Sequence, residues 1–303
     1  MDKEITETKK NNITVLSSFY LRIVAILTMT LDHVGLFFSN FDLFPNLVNV
    51  FRIIGRISLP LFIFLLVEGV LHTKNFKKYI LRLSIIGFII LLAQIILDFG
   101  FNYRIYYGNI FIDLILSAVA IYLLNSNKKW LKPLSIIPFL YGVLSFICYS
   151  IEFSKDNTLT IWWLPYFLRT QYSFFSISLA IGFYAFKKLY ILMLSKLYPG
   201  VEIDDEFIKK SDNSQLYQNL LSITSLILIT IIYYVIFLLI GSKYAYENYS
   251  IQMYTLISGA FILLYNGKRG YNSKAFRIIE YVYYPMHLLI IFLIFQLLFG
   301  GLL

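Results

Sequence analysis

Only one residue in 303 is a cysteine, Cys148, which excludes an internal disulfide, a thiolate metal cluster and a CxxC redox pair. Histidine is almost as scarce. His33, His72 and His287 are widely spaced and never fall in an HExxH pattern, so no metal is expected. Charged residues make up only 14% of the chain, 26 basic against 17 acidic. In a soluble protein the net charge of +9 would point to nucleic acid, but here the basic residues sit in short loops between apolar runs, where they set membrane orientation. No nucleic-acid partner is expected.

What is abundant is hydrocarbon. Hydrophobic residues are 59% of the chain and aromatic residues 18%, and they come in continuous runs such as LSIIGFIILLAQIIL rather than in strand-like alternation. Runs of about 20 residues are long enough to cross the lipid core as helix. The fold class is therefore an all-α polytopic membrane protein, a single integral membrane domain over residues 1–303; the bias toward Ile, Asn, Lys and Tyr suggests an AT-rich bacterial genome, so the inner membrane is the expected location. Nine transmembrane helices are expected, within a range of eight to ten, at about 18–39, 48–73, 77–98, 107–125, 131–150, 172–195, 217–241, 250–266 and 277–300. The loops after the even-numbered spans carry KNFKK, NKKWLK, Lys196 with Lys209 and Lys210, and NGKRGYNSK, whereas the opposite loops offer little beyond Arg104, Lys155, Arg169 and Lys243. By the positive-inside rule the N-terminus is cytoplasmic. Residues 1–17 read as a retained cytoplasmic segment without a cleavage site. Residues 199–215 read as a polar cytoplasmic loop, and 157–171, with Trp162, Trp163 and Pro165, as an outer interfacial segment too short to span.

Ionisable residues inside these runs mark the candidate site. Each costs at least ~2.5 kcal/mol at membrane depth and persists only with a partner or a task. Counted inward at ~1.5 Å per residue, Asp32 and His33 lie ~9–11 Å deep, Arg56 ~12 Å and Asp113 ~9 Å, with Asn109 one turn above Asp113. With Arg52 they form an outer-half layer. In the cytoplasmic half Glu68 and His72 stand at i, i+4, and Glu280 lies just inside the last helix, sharing one face with Tyr283, Tyr284 and His287, the last ~15 Å up and near the midplane. Asp32 and His33 diverge by ~100° on a helix, so Asp32 is expected to pair with Arg52 or Arg56 and to leave His33 free for proton chemistry. Ala25, Thr28, Asp32, Gly35 and Ser39 make a stripe that admits close helix approach. Pro60 cannot donate to the carbonyl of Arg56, so the second helix should bend there. Structural roles stand beside these readings: helix-tying ion pairs for Asp32, Arg52 and Arg56, snorkelling for Glu68 and His72, orientation for the basic loops, and packing for the tyrosines of YVYYP.

The runs MTLDHVGLFF, RIIGRISLPLFIFLLVEGVLHTKNFKKYILRL, GNIFIDLIL, LLYNGKRG and YYPMHLLII resemble the TraX family, named for a conjugative pilin acetylase and similar in turn to multi-spanning acyltransferases that use acetyl-CoA. The likeness covers roughly residues 20–125 and 260–295. It implies a membrane acetyltransferase that moves an acetyl group from cytoplasmic acetyl-CoA to an amine of an exported peptide, pilin or lipoprotein, or to a hydroxyl of a cell-envelope glycan, at the outer face. Carried onto this chain, it points to Asp32, His33, Arg52, Arg56 and His287 for catalysis. His33 would be the base and an arginine the oxyanion donor. Glu68, His72, Lys74, Lys77, Lys268 and Arg269 would form the acetyl-CoA site, with glycine-flanked backbone at Lys268 and Arg269 approaching the phosphates. Asn109, Asp113 and Tyr284 would face the acceptor. A proton-coupled transporter and a non-catalytic membrane scaffold are the competing classes, the first weakened by the lack of an internal repeat.

Overall fold

The computed structural model describes residues 13–40, 43–100, 108–156, 159–203, 207–208, 211, 213–241 and 250–299. Most of the expected segments 1–17 and part of 199–215 lie outside these residues, as do Arg104, Lys209, Lys210 and Lys243. Among the described residues the chain is helical, with one isolated bridge between Leu16 and Tyr265.

The helices follow the apolar runs. They are α1 (Ser18–Asn40), α2 (Pro45–Gly55), α3 (Ser58–His72), α4 (Phe76–Ile95), α5 (Ile110–Leu124), α6 (Ile136–Ser154), α7 (Phe175–Leu197), α8 (Ser214–Ile240), α9 (Ser258–Leu263) and α10 (Lys274–Phe299). α2 and α3 together make one long apolar segment, and tight turns at Lys129–Ser135 and Ile251–Ile257 lead into α6 and α9. Among the described residues seven helical segments are long and apolar enough to cross a membrane. The other two expected spans are shorter. The 15 residues of α5 rise only ~22 Å, short of the ~30 Å hydrocarbon core.

Local chemistry explains the breaks. At the α2–α3 junction Arg56 N–H and Ile57 N–H donate three residues back, to Ile53 and Ile54, and Ser58 Oγ donates to the Gly55 carbonyl at 2.8 Å. Pro60, with no N–H for the carbonyl of Arg56, accounts for the loosened ladder. The N-terminus of α1 is capped from the far end of the sequence: Ser18 N–H donates to the Lys268 carbonyl and Phe19 N–H to that of Arg269. This closes α1 onto the turn before α10.

α3 is the axis of the bundle. Its Leu61, Ile63, Phe64, Leu66 and Val67 are buried against Leu21 and Ala25 of α1, Ala118 and Ile121 of α5, and Leu179 and Phe183 of α7. α4 and α10 are the opposite case, with 6% and 17% of their apolar windows buried, so most of their surface is left for lipid. The segment 159–172 is irregular, as expected, with Trp162 83% exposed beside a short turn at Tyr166–Leu168. That exposure suits an indole at a membrane interface.

Candidate functional site

Small residues let α1 and α2 meet. A Cβ on Gly35 would lie 2.9 Å from Phe51 Cβ, and one on Gly55 would overlap the Asp32 side chain, so Gly55 makes room for the carboxylate. Asp32 takes both arginines. Arg56 Nη2 donates to its two oxygens at 2.7 and 2.8 Å, and Arg52 Nη1 lies 2.9 Å from Oδ2. Asp32 and Arg56 are 7% and 5% exposed. At that burial a carboxylate needs charge-assisted donors on both oxygens to offset its lost hydration.

His33, one residue on, points elsewhere. Its Nδ1 lies 2.9 Å from Nε2 of His287, whose own Nδ1 is 3.0 Å from the carbonyl of Tyr283. Hydrogen bonding assigns the tautomers. A carbonyl only accepts, so His287 Nδ1 carries a proton and donates. In the neutral ring its Nε2 must then accept, and His33 Nδ1–H is the donor. His33 Nε2 is left with a free lone pair. The Tyr283 ring stacks on His287 at 5.2 Å and its hydroxyl meets Thr30 Oγ1 at 2.7 Å, fixing the imidazole from behind.

A cavity of about 620 Å³ runs from His33 to the end of the bundle that carries the turn at residues 264–270. Ser18 and Asp32 of α1 both line it, which gives it a reach of ~21 Å along the helix. At the Asp32 end its wall includes His33, Ser58, Gln171, Tyr172 and Tyr284. Toward the other end come Glu68, His72, Arg22, Arg82, Arg269, Arg277 and Glu280. Two of the acids there are neutralised: Lys187 Nζ lies 2.6 Å from Glu68, and Arg22 Nη1 lies 3.0 Å from Glu280. Arg82, Arg269 and Arg277 have no ion-pair partner among the described residues, so this end is cationic. Buried atoms without a hydrogen-bond partner, Arg277 Nε, Asn272 Oδ1 and Glu280 Oε1, also belong to residues of the wall.

The structure therefore brings together some of the expected site and disperses the rest. Asp32, His33, Tyr284, Glu68, His72 and Arg269 line the cavity, and Glu68 and His72 are neighbours across one turn with Nδ1 3.8 Å from Oε2. Arg52, Arg56 and His287 do not line it. The arginines are engaged by Asp32, and His287 stands behind His33, so all three hold the site rather than face a substrate. Asn109 and Asp113 are also outside. Asn109 caps α5, accepting from Phe111 N–H and donating to the Gly87 carbonyl, and Asp113 accepts from the N–H groups of Gln171 and Tyr172 and from Ser176 Oγ–H. Both side chains are consumed by the fold, which corrects their assignment to the acceptor. Lys74, Lys77 and Lys268 are exposed and outside the cavity wall. Lys268 N–H bonds Asn266 Oδ1, and the carbonyls of Lys268 and Arg269 cap α1, so the glycine-flanked turn serves the fold.

Arg22, Arg82, Arg277, Gln171 and Lys187 carry no signal in the sequence, because the elements that each of them meets around the cavity are remote in the chain. Glu152 does carry a signal in the sequence, since an acid inside the run CYSIEFS demands a partner. That partner is Arg169, fully buried, 2.5 and 2.9 Å from the carboxylate, with the rings of Tyr149 and Tyr166 each within 5 Å of its guanidinium. Burial alone would lower the pKa of Arg169, but the hydrogen bonds and charge of Glu152 raise it above its ordinary value.

Comparison with known proteins bears on this arrangement. The probable fimbrial assembly protein FimC, serogroup H1, of Dichelobacter nodosus is 41% identical over 73 residues, 24% of this chain and 29% of that protein's length. No solved structure matches. The profile described as TraX protein matches residues 17–204, which takes in Asp32, His33, the α2–α3 junction and the 130–204 region that carries no motif legible by eye, and ends before α10. On that match over more than half of its residues, the chain belongs to the TraX family.

Proposed function

We propose that this protein is a membrane acetyltransferase that takes its acyl group from acetyl-CoA entering at the cationic end of the cavity, with that end toward the cytoplasm. The observation that carries this reading is the cavity itself: one continuous space joins Arg82, Arg269 and Arg277 to the unprotonated Nε2 side of His33. A thioester held with its nucleotide among the arginines reaches the histidine through a flexible arm. Family membership and the fimbrial name of the partial relative support an acceptor exported to the cell surface, an amine of a pilin-like peptide before a glycan hydroxyl.

The chemistry follows from the groups at the Asp32 end. His33 Nε2 removes a proton from the acceptor amine as its nitrogen attacks the thioester carbonyl, forming the C–N bond and a tetrahedral oxyanion. Gln171, Tyr172 and Tyr284 are the wall groups with N–H or O–H donors for that oxygen, the role first expected of Arg52 or Arg56. Collapse breaks the C–S bond, and the thiolate takes the proton from the His33 imidazolium. The products are the acetylated amine and CoA thiol. His287 keeps His33 in the tautomer this requires, and the Asp32–Arg56 pair holds α1 against α2.

The test is calorimetry of acetyl-CoA with nanodisc-embedded protein, paired with mass spectrometry of candidate amine peptides incubated with labelled donor. Saturable binding in wild type and His33→Ala, with label transfer lost only in the variant, supports the reading. No binding by well-folded wild type overturns it.

A further inference from the structure

Beside the main cavity lies a smaller one of about 270 Å³, lined by Arg82 of α4 and by Lys274, Arg277, Ile278 and Tyr281 of α10. Three of its five residues are cations and no carboxylate lines it. Arg82, Arg277 and Tyr281 line the main cavity as well, so the two spaces share a wall. Arg82 comes from the second turn of α4 and Lys274 and Arg277 from the first turn of α10, two helices whose surface is otherwise left mostly for lipid, and like charges gathered without a counter-ion repel one another. Such a cluster is stable when an anion sits within it.

We infer that Arg82, Lys274 and Arg277 form a phosphate subsite for a phosphomonoester carried by the same ligand that fills the main cavity. This inference rests on the acetyl-CoA reading and extends it: the 3′-phosphate of the ribose, a group remote from the thioester, binds in the side pocket. Three features favour that ligand over a free anion. The guanidinium fork suits the oxygens of a terminal phosphate. Ile278 and Tyr281 give an apolar and aromatic edge on which a nucleoside can rest. The shared wall sets this pocket at the cationic mouth, and Arg277 stands ten residues, ~15 Å, along α10 from His287, a gap that a pantetheine arm spans.

The test compares CoA with dephospho-CoA, which bears a hydroxyl in place of the 3′-phosphate, by calorimetry in nanodiscs of phosphatidylcholine. Wild type should bind CoA about tenfold or more tighter than dephospho-CoA, the effect of one charge-assisted contact. Lys274→Gln and Lys274→Gln/Arg277→Gln should progressively erase that preference, chiefly by weakening CoA. Equal affinity of wild type for the two nucleotides overturns the subsite while leaving the acetyl-CoA reading in place. Equal weakening of both nucleotides in the single Lys274→Gln variant also overturns it, since the effect is then not specific to the phosphate. A parallel arm uses nanodiscs containing phosphatidylglycerol. If the nucleotides bind equally in phosphatidylcholine and anionic lipid binds wild type but not the double variant, the phosphate belongs to a lipid headgroup and the inference fails. Binding of neither nucleotide overturns both readings.

Discussion

At the scale of single residues, the site depends on which nitrogen of His33 is bare. His287 enforces this from outside the cavity, so the two histidines should separate kinetically. His33→Ala is expected to lower kcat for acetyl transfer by about 10²–10⁴-fold, the range for loss of a general base. His287→Ala should produce a smaller fall in kcat with KM for acetyl-CoA unchanged, because it removes orientation and not a binding contact. Steady-state kinetics on the two variants checks both. Gly55 offers a second test. The Cβ of Gly55→Ala overlaps the Asp32 carboxylate, so the variant should lose about 1–3 kcal/mol, read as an earlier thermal transition in detergent, whereas alanine at Gly259, whose Cβ would meet Ile223 and Leu226 at ordinary contact distances, should lose far less.

At the scale of elements, one clamp governs how the segment 159–172 meets the bundle. Arg169 ties that segment to α6 through Glu152, and two residues later the chain enters the cavity wall at Gln171 and Tyr172, whose N–H groups are held by Asp113 on α5. Removing one member of a buried ion pair leaves the other charged and unsolvated. Arg169→Ala should therefore destabilise by about 3–5 kcal/mol, and the double variant Glu152→Leu/Arg169→Met by clearly less. Limited proteolysis of the 159–172 segment and thermal melts would check this. An equal loss in both variants would mean that the charge pairing is not what holds the segment.

At the scale of the whole molecule, the bundle is organised around a void that packing alone does not require. Ligand that binds only the folded state should stabilise it, by about 2.7 kcal/mol at a hundred times Kd. Acetyl-CoA is accordingly expected to raise the melting temperature of wild type, and Gly69→Leu to abolish that rise. Gly69 is on the cavity wall, where an added side chain has to displace Tyr79, 3.3 Å away, or fill the space. Retained protection in that variant would place the donor elsewhere.

Hydropathy, period and charge placement were enough to fix the helical class, the break before Pro60, and the pairing of Asp32 with an arginine of the next helix, where the structure supplies both Arg52 and Arg56. These follow from quantities local to a run of residues, or from the depth of two helices adjacent in sequence, because lipid imposes one axis along which depth can be counted. Only the tertiary structure decided the rest. The meeting of His33 with His287 joins residues 254 apart, and the cationic end joins Arg82 of α4 to Arg277 of α10. Whether Asp113 and Asn109 face a cavity or cap a backbone depends on a loop some sixty residues downstream and on a neighbouring helix. Periodicity names the face a side chain leaves from, and the element packed against that face determines what the side chain does.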